Sequence, residues 1–169
     1  MLAPAVTFDQ VILALHIMSV VIAFGVLFTY PLFMLVGARL DPGAMPGFHR
    51  IQQLVGRTIV SFGLLFVVIF GVILASEFHA WDDFYVQWGI GAAIVIGAIE
   101  GMFTIPRTGR LAELAARDLG LDGGRRETGP VGTLSAEYRA LSRQVLLGAM
   151  LVSLIVLVTI FLMAVHAGA

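Results

Sequence analysis

Apolar residues in this chain gather into four long runs separated by short polar stretches. The runs cover about residues 11–36, 58–75, 85–105 and 145–165. Each is near or above the ~20 residues that an α-helix, rising ~1.5 Å per residue, needs to cross ~30 Å of hydrocarbon. None alternates residue by residue, as the strands of a membrane barrel do. Lipid offers backbone N–H and C=O groups no partner, so such runs must be helical. The pattern predicts an all-α protein, a single membrane domain over residues 1–169. It is a four-transmembrane-helix bundle with both termini outside and two cytoplasmic loops.

The polar punctuation refines this reading. No basic stretch precedes the first run and no small-residue cleavage site follows it, so the sequence predicts a span and not a signal peptide. Pro46-Gly47-Phe48-His49-Arg50 reads as the start of the second helix, with Gln52, Gln53 and Arg57 in its wet first turns. Pro31 removes a backbone donor late in the first span and predicts a kink there. In the loop 106–144, a short helix is expected near 110–119, either continuing span three or lying at the interface. Gly120 to Gly132 reads as a mobile turn. Thr133 or Ser135 then caps the last helix, with Glu137 in its first turn.

Composition removes whole classes of function. Hydrophobic residues make up 59% of the chain and charged ones 12%, where a soluble domain carries ~25% charge. Mean hydropathy is +0.98. The first partner implied is therefore the lipid bilayer. A net charge of −1 implies no nucleic-acid partner, and the absence of cysteine excludes thiol catalysis and cysteine-based zinc sites.

All ten basic residues are arginine, and their distribution predicts orientation. Arg39, Arg50 and Arg57 lie between spans one and two. Arg107, Arg110, Arg117, Arg125, Arg126, Arg139 and Arg143 lie between spans three and four. The termini and the loop Ser76–Asp83 carry none. The positive-inside rule then places the arginine-bearing loops in the cytoplasm. Trp81, Tyr85 and Trp88 suit an aromatic belt at the opposite interface.

Few polar residues lie inside the spans, and each is a candidate. Glu100 stands seven residues after Ala93 in a stripe of small residues, Gly89, Ala93, Gly97 and Gly101. That stripe suits close helix packing, within the bundle or in a homo-oligomer. Arg57 is the cation expected to pair with Glu100; a proton or cation site at Glu100 is the alternative. His16 shares a helical face with Ser19, Ala23, Leu27 and Tyr30. It is expected either to hydrogen-bond across the bundle or to ligate haem or a metal. His79, His166, Glu77 and Asp82 lie at one level, with N and O donors suited to a metal. His49 is expected to be solvated.

His16-Ile17-Met18-Ser19 through Gly25, followed by Leu27-Phe28 and Pro31, resembles the first helix of a group of small bacterial membrane proteins. The group includes CopD copper-resistance proteins, HemJ-type protoporphyrinogen oxidases and an uncharacterised family of predicted integral membrane proteins. The last is the nearest likeness. It recurs in Gly101-Met102-Phe103-Thr104-Ile105-Pro106-Arg107 and in Ser135-Ala136-Glu137-Tyr138-Arg139-Ala140-Leu141-Ser142-Arg143. The resemblance implies a multi-pass protein of a bacterial inner membrane. Its HemJ-type branch implies haem b at His16, and its CopD-like branch implies copper or solute transport. The chain shows no phosphate loop, HExxH or nucleophile elbow. The first expectation is thus a non-enzymatic bundle or an accessory subunit of a membrane complex, with the haem and metal readings as alternatives.

Overall fold

The structure is a computed structural model that describes residues 6–121 and 133–166. Four helical rods account for nearly all of it. The first is α1, Phe8–Leu40, which continues through Pro31. A 3₁₀ turn over Pro42–Ala44, capped by the Asp41 side chain accepting from Gly43 N–H at 2.9 Å, reverses the chain. The second rod joins α2, Met45–Val55, to α3, Ser61–Glu77, through a π-helical segment at Gly56–Val60. The third joins α4, Phe84–Ala98, to α5, Ile105–Asp118, through a second π-helical segment at Ile99–Thr104. The fourth is α6, Ala136–His166. The helix expected near residues 110–119 is therefore the continuation of the third rod. Of the expected Gly120–Gly132 turn, all beyond Leu121 lies outside the described residues.

All four rods are long and apolar enough to cross a membrane. They turn large apolar side chains outward in every direction: Ile17, Val21, Phe62, Leu65, Ile94, Leu154 and Phe161 are all exposed. A soluble monomer rarely exposes apolar surface on this scale, whereas lipid covers it without cost. The interior is correspondingly narrow. Ala23, Leu27, Tyr30, Val60, Ile96, Val152 and Val156 form its middle layer. The expected inward face of α1 is observed, with Ser19, Ala23, Leu27 and Tyr30 all buried.

The rods exchange neighbours along their length. Towards the 77–84 hairpin, α3 lies against α1 and α4 against α6. At the opposite, arginine-bearing end, α2 packs on α5. The closest α1–α3 approach is at Gly63, where a Cβ would stand 2.8 Å from Ala23 Cβ. The small-residue stripe does not serve one seam. Gly89 faces Met163 of α6, Gly97 faces Leu64 of α3, and Gly101 faces open space.

The two π segments sit where the neighbours change. Ser61 N–H reaches back five residues to the Gly56 carbonyl, and Ile105 N–H does the same to Glu100. The Ser61 hydroxyl also donates to the Gly56 carbonyl, at 2.9 Å. Such widened turns rotate the residues that follow and are frequent at functional sites.

Beyond the middle layer, a second cluster seals the arginine end. Met34, Met45, Leu111, Leu114, Ala115, Tyr138 and Val145 form it. Ser135 caps α6, its hydroxyl accepting from Tyr138 N–H at 3.2 Å. The Asp118 carboxylate accepts from Ser135 N–H at 2.8 Å, which ties the end of α5 to the start of α6.

Candidate functional site

Most of the buried polar residues lie between the second π segment and the arginine end of the bundle. Among the described residues, the buried polar side chains are Ser19, His49, Gln52, Glu100, Thr104 and Thr108. All but Ser19 belong to α2, the second π segment or α5.

His49 is fully buried, at 0% exposure, which corrects the expectation that it is solvated. The α2–α5 packing turns its face of α2 inward, alongside Met45 and Gln52. Its Nδ1 lies 3.3 Å from Gln52 Oε1 and its Nε2 2.8 Å from the Tyr138 hydroxyl. An amide oxygen only accepts, so Nδ1 donates to it and Nε2 accepts from Tyr138. The Gln52 backbone carbonyl in turn accepts from the Tyr30 hydroxyl at 3.3 Å. A chain of polar contacts thus runs from α6 through α2 to α1.

Glu100 lies beyond Tyr30, 3% exposed. It sits beside Ile99 and one turn from Ile96, both of which pack in the Tyr30 layer. Neither carboxylate oxygen has a hydrogen-bond partner. The Thr104 hydroxyl, one turn along the same rod, and the Gln52 amide nitrogen are also buried without partners. The Thr108 hydroxyl turns away from Glu100, donating to the Thr104 carbonyl at 2.7 Å.

The expected Arg57–Glu100 ion pair is not formed. The ion pairs among the described residues are Arg110–Glu137 at 2.9 Å, Arg117–Asp118 at 3.1 Å and Arg117–Glu137 at 3.4 Å. Arg57 is exposed and lines a surface cleft with Gln53 and Arg110, while the second π segment turns Glu100 into the Tyr30 layer. Equal depth along neighbouring helices made the pair plausible, but the two side chains leave their helices on different faces.

His16 is half-buried between α1 and α3. A Cβ built on Gly71 would stand 3.2 Å from its Cε1 and 3.6 Å from its Nδ1. Gly71 thus provides the notch that admits the ring, and Nδ1 lies there without a partner. On its Nδ1 side the ring lies against the α3 backbone at Gly71. Among the described residues, no Ser, Thr or Tyr side chain reaches Nδ1, whereas the Val67 backbone of α3 lies within hydrogen-bonding reach of the imidazole, the other bond expected of His16.

The expected metal set is not assembled. Among the described residues, no three of His, Asp or Glu come together in a metal-binding group. His79 has φ 53°. It occupies the left-handed position that ends α3, with Ala80 N–H bonded to the Ala75 carbonyl at 2.9 Å and His79 N–H directed at Ser76. His166 stacks on Tyr85 at 5.4 Å and directs Nδ1 to the Leu162 carbonyl at 2.9 Å. Glu77 and Asp82 are exposed on the hairpin.

No protein-family model matches the chain, and neither a curated protein nor a solved structure is significantly similar to it. The sequence singled out Glu100 and placed Tyr30 on the inward face of α1, but missed His49, Gln52, Thr104 and Tyr138 as buried polar groups. Two signals were present: Glu100, Thr104 and Thr108 recur every four residues, and His49 and Gln52 are three apart. Both spacings put polar groups on one helical face.

Proposed function

We propose that this protein is a non-enzymatic, multi-pass membrane bundle that takes up and releases a proton at Glu100, as a component of a proton-coupled process. The observation that carries this reading is the carboxyl group itself, buried in the bundle with both oxygens unpartnered. An ionised carboxylate removed from water needs a counter-charge or hydrogen-bond donors. Here the neighbouring arginine is directed elsewhere, so a proton is the species that compensates the charge. Intramembrane acids in such settings mark proton and ion pathways.

The surroundings support exchange and not permanent storage. The orphaned Thr104 hydroxyl and Gln52 amide are polar partners for water, and a buried water needs two to four of them. The π segment that carries Glu100 frees backbone carbonyls at the same level. The arginine distribution supports an orientation with this end towards the cytoplasm and both termini outside, in a bacterial inner membrane. Glu100 then lies seven residues, or ~10 Å of helix, from the cytoplasmic boundary marked by Arg107.

Reconstitution into liposomes that enclose a pH-sensitive dye tests the proposal. With an imposed membrane potential, wild-type protein is expected to move protons faster than empty liposomes, and Glu100→Gln is expected to return the rate to that of empty liposomes. Equal rates for the two proteins would overturn it.

A further inference from the structure

A second feature lies outside the bundle core, at the boundary between its apolar belt and its arginine end. A cleft of about 610 Å³ opens between the second rod and α5, with the start of α6 as its third wall. Arg57, Arg110 and Arg117 line it, together with Gln53, Glu113 and Glu137. Three guanidinium groups thus face two carboxylates. Glu137 is engaged by Arg110 at 2.9 Å and by Arg117 at 3.4 Å. Arg57 has no acidic partner within ion-pair distance among the described residues. The two helices that line the cleft meet where Gln53 lies directly over Gly109, and any Cβ there would collide with its amide.

On the side towards the apolar belt, the surroundings of the cleft are apolar. Met102, one turn before the lining residue Pro106, is 81% exposed and continues the same surface into the apolar belt. The site therefore joins a cleft holding an arginine without an ion-pair partner, Arg57, to bare hydrocarbon-facing surface. A free anion would use only the first; an amphiphile with an anionic head would use both.

We propose that this cleft binds the phosphate headgroup of an anionic phospholipid, with Arg57 as its principal contact and the acyl chains running into the apolar belt past Met102. Arginine suits the role because its planar fork donates two parallel hydrogen bonds to phosphate oxygens. Basic pockets between helices at the cytoplasmic interface are the usual form of such sites. The inference does not depend on proton uptake at Glu100.

Purified full-length protein in neutral detergent, titrated with phosphatidylglycerol, tests it by native mass spectrometry and by thermal unfolding. Phosphatidylglycerol is expected to bind with retention of one lipid and a rise in melting temperature, and phosphatidylcholine to give neither. Arg57→Gln is expected to weaken phosphatidylglycerol binding about tenfold or more, the loss of one charge-assisted arginine–phosphate contact. Arg139→Gln, an exposed arginine that does not line the cleft, is expected to bind as wild type, which separates a site from general charge attraction. Inorganic phosphate is expected to produce no thermal shift; an equal shift would reassign the cleft to a free anion. Arg57→Lys, which keeps the charge and loses the fork, guards against a folding defect and is expected to bind with intermediate affinity. Unchanged phosphatidylglycerol binding by Arg57→Gln, or equal losses in Arg57→Gln and Arg139→Gln, would overturn the proposal.

Discussion

The His49 imidazole and the Tyr138 hydroxyl, 89 residues apart in sequence, meet at 2.8 Å inside the bundle. Their hydrogen bond joins α2 to α6 at the arginine end of the bundle, and both residues are buried. Removing one partner leaves the other buried and unsatisfied, at ~1–3 kcal/mol. Tyr138→Phe and His49→Ala are each expected to lower stability in detergent. The double variant should lose less than the sum, since the second change removes a group already orphaned. Additive losses would show that the two side chains do not interact.

The α1–α3 seam depends on one missing methyl group. A Cβ at Gly63 would stand 2.8 Å from Ala23 Cβ and 3.0 Å from Ala23 Cα, so part of the obstacle is backbone that cannot rotate away. Gly63→Ala is expected to destabilise the bundle by ~1–3 kcal/mol, the usual cost of overpacking. Gly25→Ala and Gly91→Ala, where the new Cβ meets nothing within 4 Å, are expected to be neutral or mildly stabilising. Thermal unfolding of the three variants side by side separates close packing from helix propensity.

At the arginine end, geometry ranks two acids. Asp118 accepts from Ser135 N–H at 2.8 Å and its side chain is 8% exposed. Glu137 makes its ion pairs in solvent, with a side chain 47% exposed. Asp118→Ala is expected to cost ~1–2 kcal/mol, as the loss of a partly buried charge-assisted bond. Glu137→Ala is expected to cost less than Asp118→Ala and its effect to fade with salt. Denaturation at low and high salt distinguishes the two.

The four rods were legible because the membrane imposes them: runs of ~20 apolar residues admit no other structure. The inward face of α1 was legible for a similar reason, as Ser19, Ala23 and Tyr30 recur at helical spacing. The site was legible only in part. Glu100 stands out in any apolar run, but its surroundings depend on two π segments, and a single widened turn leaves no signature in hydrophobic periodicity. Arg57, level with Glu100 in the linear reading, leaves its helix on another face and lies on the surface. His49 was misread for a different reason. The stretch from Met45 to Val55 looks polar enough to be solvated, yet α5 covers one face of it, and a contact 89 residues distant cannot be read from local pattern. His79 drew notice as a donor, when its place is set by the left-handed turn that ends α3.

The claim at the centre of this account is that Glu100 is an unpartnered acid that exchanges a proton from within the bundle. Dicyclohexylcarbodiimide, an apolar reagent that adds to carboxyl groups carrying a proton in apolar surroundings, tests it most directly when the labelled peptides are read by mass spectrometry. The account predicts an adduct on Glu100 in native membranes, diminishing as the pH is raised, while the exposed Glu77, Asp82 and Glu137 remain unmodified. An unmodified Glu100 at every pH, with the reagent shown to enter the same membranes, would contradict it.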